Sequence, residues 1–204
     1  MQFKQFKYLK YDLYRYFYPN NNVSKNSLLN KIKIILTTQG IWAIFVYRLR
    51  RWSNHECDIT LLRVILKPIC LFLHIIIQIT TGISIGEYVD IGPGLYIGHF
   101  GCIFVGGEKI GKFFNIGQGC TIGWAGRGIL WGMPTIGDFV YMAPGSKIVG
   151  KISIGNNVAI GANAVVTKNI TENYVVGGIP AKVINTNSSK EFIQYNEKKN
   201  KNIL

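Results

Sequence analysis

The chain has 204 residues, 48% of them hydrophobic, with 23 lysines and arginines against 10 acidic residues, enough for one ordinary domain with an appendage and a sizeable core. The net charge of +13 is concentrated in residues 1–82, where twelve basic residues face three acidic ones and leave +9. Such an excess suits an anionic membrane surface or phosphorylated ligands; nucleic acid is disfavoured because the basic residues are scattered among bulky apolar ones without a recognition motif.

Residues 1–82 read as helical. The opening "MQFKQFKYLKYDLYRYFYPN" lacks an uninterrupted apolar stretch, so no signal peptide is expected. Aromatic and basic residues interleave over residues 3–18, a pattern expected to pack as an amphipathic helix on its own protein, with contact to anionic lipid as the alternative. The polar break "PNNNVSKNS" reads as a hinge, after which "LLNKIKIILTTQGIWAIFVYRLRRW" resumes helical spacing. In "LLRVILKPICLFLHIIIQI", residues 61–79, Arg63, Lys67, Pro68 and His74 interrupt the apolar run. A spanning helix needs about twenty predominantly apolar residues, so this segment is expected to be buried against the protein or to lie at a membrane surface.

From residue 83 helical periodicity gives way to a six-residue repeat. Aliphatic residues fall at Ile85, Ile91, Ile97 and Ile103, restart one residue late at Ile110, Ile116 and Ile122, and run again through Ile136, Met142, Ile148, Ile154, Ile160 and Val166. A small residue usually follows: Gly86, Gly92, Gly98, Gly111, Gly117, Gly123, Gly137, Ala143, Gly155 and Gly161. This period predicts a hexapeptide parallel β-helix, with short strands forming flat faces and the glycines adopting backbone conformations that a Cβ would strain. A β-sandwich would show period two instead.

Between Ile122 and Ile136 eight extra residues enter, within "GWAGRGILWGMPT". The insertion predicts a loop leaving one face, carrying Trp124, Arg127 and Trp131. The expected organisation is therefore a helical segment over 1–82, a β-helix over 83–185 with its insertion at 124–135, and a loose polar tail with a short helix over 186–204. Cys57, Cys70, Cys102 and Cys120 form no CxxC pair and have no metal-ligand spacing with His55, His74 or His99. No metal is expected; the thiols read as reduced and mostly buried, which places the chain in the cytoplasm.

"IGHFGCIFVGG", "NIGQGCTIG" and "IGANAVVTKNITENYVVGGIPAKVI", with the "AIFVYRLRRW" helix before them, resemble the serine acetyltransferase-like branch of the hexapeptide acyltransferases, most closely the O-acetyltransferases of capsular and exopolysaccharide synthesis. The resemblance implies an all-β left-handed parallel β-helix with an N-terminal helical segment, a homotrimer, acetyl-CoA as donor and an active site between neighbouring subunits. It makes His99 the catalytic base, a role suited to an imidazole that titrates near neutral pH. A backbone amide of the adjoining coil is the candidate oxyanion donor. The pantetheine arm is expected to meet backbone amides at Gly123, Ala143, Gly145, Gly161 and Ala162, with Lys168 and Lys182 toward the phosphates.

The departures shape the functional expectation. Serine acetyltransferases place an aspartate before the catalytic histidine, where this chain has Gly98; an Arg-His pair before the next proline, where it has Gly132 and Met133; and a carboxylate fifteen residues earlier, where it has Ser84. Glu87 and Asp90 are the nearest acids to take over the orienting of His99. The expected reaction is O-acetylation of a sugar hydroxyl of a bacterial capsular or other surface polysaccharide, with Trp124, Arg127 and Trp131 as acceptor contacts. Serine O-acetylation in cysteine biosynthesis and a non-catalytic scaffold are the alternatives. The basic N-terminal segment offers peripheral contact with the inner membrane face.

Overall fold

One inward aliphatic side chain per six residues leaves room for strands of only two to four residues, and these stack into a three-sided prism. The structure, a computed structural model, describes residues 3–19, 27–128 and 131–201; the hinge expected over 19–27 lies outside them except for its end residues. Four helices come first: α1 (Lys4–Phe17), α2 (Leu28–Thr37), α3 (Gln39–His55) and α4 (Thr60–Thr81). The chain then winds through fourteen short strands in cyclic order over the three faces.

The first face holds β1 (Ile83–Ile85), β4 (Ile103–Val105), β7 (Thr121–Gly123), β10 (Lys147–Val149) and β13 (Val165–Val166). The second holds β2 (Asp90–Ile91), β5 (Lys109–Ile110), β8 (Thr135–Ile136) and β11 (Ser153–Ile154). The third holds β3 (Tyr96–Ile97), β6 (Asn115–Ile116), β9 (Tyr141–Met142), β12 (Ala159–Ile160) and β14 (Val175–Gly177), edged by an antiparallel β15 (Lys182–Asn185). All other pairings are parallel, and in regular coils partners lie 18 residues apart, as Ile136 with Ile154 and Met142 with Ile160. The predicted parallel β-helix with its N-terminal helical segment is thus the observed fold.

The register departs from the expected one at a single coil. Ile85 pairs with Val105, not with Ile103, and Val105 pairs with Ile122. Ile103 instead occupies the corner level of Cys120, Ser146 and Ala164, each of which directly precedes a paired strand residue. The extra residues therefore sit before β4, in the turn that carries His99, rather than after Ile103.

The repeat glycines act through space, not through positive φ. None of Gly92, Gly111, Gly137 and Gly155 has positive φ; a Cβ on Gly111 would lie 2.5 Å from the Gly137 carbonyl carbon, and one on Gly155 2.5 Å from the Glu172 nitrogen. Neighbouring coils touch backbone to backbone at this corner. Gly111→Ala is expected to cost about 1–3 kcal/mol by overpacking, whereas Gly98→Ala, whose Cβ would meet only Tyr96 Cε1 at 3.6 Å, should leave stability unchanged; urea unfolding of the two variants checks this.

Helices α1 and α3 close the first coil, whose outer edge would otherwise leave backbone groups unpaired. Tyr47 Oη donates to Val89 O and accepts from Ile91 N, Arg48 donates to Ile91 O and Gly92 O at 2.7 Å each, and Asp12 Oδ1 accepts from Gly94 N and Leu95 N at 2.8 Å each. Tyr16 Oη does the same at Ile97. Asp12 and Arg48 also pair with each other at 2.8 Å, and both are fully buried. Burial pulls the Arg48 guanidinium down, and the Asp12 carboxylate more than offsets it, holding its pKa above the ordinary value. The aromatic and basic pattern of α1 is thus a packing face on its own protein.

The segment after β15 docks rather than hanging loose, and ends in a short helix, α5 (Glu197–Asn200). Phe192 stacks on Tyr141 with centroids 5.1 Å apart, Tyr195 packs on Phe113 and Phe139, and Ser189 is fully buried against Phe139 O and Asn157 O.

Candidate active site

The corner from the third face to the first is a continuous column. It takes four residues at Gly117–Cys120, Ala143–Ser146 and Gly161–Ala164, but six at 98–103. Gly101 and Cys102, with φ of 104° and 51°, turn the longer segment and push His99 outward. Backbone bonds tie one corner to the next: Gly119 N to Gly101 O at 2.9 Å, Gly145 N to Gln118 O at 2.8 Å and Asn163 N to Pro144 O at 3.0 Å.

His99 is exposed, and among the described residues its ring makes no hydrogen bond or ion pair. None of the residues considered for orienting it does so. Ser84 Oγ accepts from Gln78 Nε2 at 2.8 Å, Glu87 is held by Arg50 and Asn54, and Asp90 lies 3.4 Å from Arg51 and 3.9 Å from Lys4.

His99 borders a cavity of about 370 Å³. Arg15, Tyr96, Asn115, Gln118, Tyr141 and the tail residue Phe192 help to line it. Arg15 is 2% exposed; Nη1 donates to Gly94 O and Asn115 Oδ1, Nε and Nη2 donate to Gln194 O, and no carboxylate pairs with it among the described residues. Burial lowers its pKa to about 10, so it stays charged at neutral pH. Gln118 Oε1 is buried without a hydrogen-bond partner among the described residues. Among the described residues no Asp or Glu lines the cavity.

Sequence reasoning missed these lining residues, although part of the signal was present. Tyr96, Asn115 and Tyr141 each directly precede an inward aliphatic of the third face, and they pair in register. Polar and aromatic side chains at that outward position mark the face beside His99. Arg15, Phe192 and Gln194 arrive from distant segments without a local sign.

The proposed cofactor and acceptor positions divide between two corners. Ala143, Gly145, Gly161 and Ala162 share the His99 column, and Lys182, paired with Gly177, stands at its far end. Of the four column residues, Ala143, Gly145 and Gly161 use their N–H groups between coils; Ala162 N–H makes no such bond among the described residues. Gly123, Trp124, Arg127, Trp131 and Lys168 lie at the corner between the first and second faces, so within one chain they do not meet His99. Trp124 and Trp131 stack on each other at 5.6 Å across an Ala125–Gly132 bridge. Residues 129 and 130 of that loop lie outside the described residues. Among the described residues no cluster of three metal-ligating side chains occurs, and Cys57, Cys70 and Cys120 are buried free thiols while Cys102 is exposed.

A prism of hexapeptide coils bearing an exposed imidazole on one corner column defines the class: a hexapeptide-repeat acyltransferase. Residues 133–168 match the bacterial transferase hexapeptide family (six repeats). The chain is 33% identical over 156 residues to a serine acetyltransferase of Helicobacter pylori, covering 76% of this chain and 86% of that one. It is 30% identical over 156 residues to that of Synechococcus elongatus, covering 76% of this chain but 61% of the relative, so it spans less than two thirds of that protein. A solved serine acetyltransferase in complex with CoA superposes with a TM-score of 0.70 at 25% identity, over 88% of this chain and 69% of that one. The chain belongs to the serine acetyltransferase family.

That result corrects the expected polysaccharide O-acetylation, since the relatives and the solved structure just named are serine acetyltransferases.

Proposed function

We propose that the chain transfers the acetyl group of acetyl-CoA to the hydroxyl of serine, with His99 as general base. One observation carries the reading: the cavity bordered by His99 also holds a buried guanidinium, Arg15, that lacks an acid partner among the described residues. The remaining Nη2 hydrogen and the charge of Arg15 suit the carboxylate of an amino acid, and the unpaired Gln118 Oε1 suits its ammonium. These groups take the place of the acidic residue and the Arg-His pair that this chain lacks.

His99 takes the hydroxyl proton as the serine oxygen attacks the thioester carbonyl. The tetrahedral adduct collapses by breaking its carbon–sulfur bond, and the imidazolium returns the proton to the departing thiolate. The Ala162 N–H, open among the four proposed column positions, points the pantetheine arm's hydrogen bonding to this corner, and Lys182 at the column's end meets the phosphates. In a homotrimer, the first-to-second-face corner of one subunit comes beside the His99 corner of the next. Gly123, Trp124, Arg127, Trp131 and Lys168 then complete the site from the neighbouring copy.

The test is release of free CoA thiol from acetyl-CoA with L-serine, matched by O-acetylserine in a mass spectrum. Turnover with serine that falls when the amine or the carboxylate is removed from the acceptor is the expected result. Turnover with another hydroxyl compound and none with serine would overturn it.

A further inference from the structure

We infer that α2 and α4 form a docking face for an anionic lipid bilayer, with α4 lying in the plane of the interface. The sidedness of α2 is inverted. Leu28, Leu29, Ile32, Ile35 and Leu36 fall on one side at about 100° per residue, yet each is 37–76% exposed and no residue of the helix is buried. Lys31 and Lys33 lie at the margins of that side. An amphipathic helix that buries nothing against its own protein presents its apolar side outward.

Helix α4 repeats the pattern over five turns. Its most apolar window has a mean hydropathy of 2.1, and only 11% of that window is buried. Leu61, Val64, Ile65, Phe72, Ile75 and Ile79 are 43–79% exposed. With the other exposed apolar residues of the helix they fall within roughly 160° of arc, where a soluble helix would place charges. The opposite side buries Cys70, Ile77 and Thr81 against α3 and β1. Because α4 packs along its buried side on β1 as well as on α3, crossing the bilayer would carry the polar-surfaced prism into it, so α4 lies on the bilayer instead. The two helices belong to one surface: Ile35 of α2, Phe45 of α3 and Leu73 of α4 line a single apolar cavity of about 510 Å³.

Charge selects lipid over a second copy of the chain. Residues 1–82 carry +9, with Lys31, Lys33 and Lys67 beside the apolar face. A second copy would bring the same sign to the contact, whereas anionic headgroups bring the opposite one. The inference is independent of which acceptor the active site takes.

The test mixes the full-length protein with vesicles of phosphatidylcholine alone or of phosphatidylcholine with phosphatidylglycerol, and measures co-sedimentation at low and at physiological salt. Binding to the anionic vesicles is expected to be at least about tenfold tighter than to the neutral ones and to weaken with salt. Leu29→Glu with Ile32→Glu, or Val64→Glu with Phe72→Glu, should each weaken it by about tenfold or more, with circular dichroism and thiol release unchanged. Equal binding to both vesicle types would overturn the proposal. So would absence of vesicle binding together with a wild-type assembly that the glutamate variants split, which would assign the face to another copy.

Discussion

Replacement of His99 by alanine is expected to lower acetyl transfer by about 10²–10⁴-fold, the range supplied by a positioned general base, while leaving the unfolding midpoint where it is. The two halves of that expectation come from the same geometry. The ring is exposed and bonds to nothing among the described residues, so its removal opens no cavity and orphans no polar group. It sits on the one corner lengthened by two residues, where the turn is set by Gly101 and Cys102. The neighbouring corners, which carry the proposed cofactor positions, are held by backbone bonds that the substitution does not touch. The KM for acetyl-CoA should therefore stay within about twofold while kcat falls. Thiol release kinetics and urea unfolding on the same preparation check both halves; a lowered midpoint with unchanged kcat would make His99 a structural residue.

The prism was legible because its physical requirement is simple. Each strand needs one inward aliphatic residue, and all the predicted positions from Ile85 to Val166 are at most 4% exposed. The slip at Ile103 has an equally simple cause. Ile103 and Val105 are 1% and 2% exposed, because β4 turns both its ends inward; a six-residue count from Ile97 lands on the first, while the ladder pairs the second with Ile85 and Ile122. A burial pattern of period two cannot separate these registers. The glycine pattern was likewise visible, but its cause was spatial: the coils approach so closely at Gly92, Gly111, Gly137 and Gly155 that a Cβ has no room.

The cavity beside His99 was less legible. Its outward row Tyr96, Asn115 and Tyr141 follows from the repeat once the faces are known, but Arg15 bonds to Gln194 across 179 residues of sequence. In α1, Asp12 and Arg15 belong to the polar residue types that an amphipathic helix ordinarily turns to water. Both are buried, because the edge of the first coil offers backbone donors and acceptors that charged side chains satisfy. Helical periodicity records which side chains are apolar; it does not record that the buried side faces an open sheet edge.

That edge carries the second large expectation: Asp12→Ala should lower unfolding free energy by about 3–5 kcal/mol, the cost of leaving one partner of a buried ion pair alone. Asp12 accepts from Arg48 Nε at 2.8 Å and Nη2 at 3.2 Å, and from Gly94 N and Leu95 N at 2.8 Å each. Its removal strands a fully buried guanidinium and opens two amides at the start of the β-helix. Domains have a total stability of only about 5–15 kcal/mol, so the variant should unfold at markedly lower urea. Arg48→Ala should cost a similar amount, and the double variant less than the two together, because the second substitution removes the charge that the first left unpaired. The Arg50–Glu87 pair is the internal control: the Arg50 side chain is 9% exposed but that of Glu87 is 25% exposed, so Glu87→Ala lets water into the space beside the guanidinium, and its cost should stay below that of Asp12→Ala. Equal costs for Asp12 and Glu87 would mean that the helices do not close the first coil through this pair, and that apolar packing of α3 against β1 does so instead.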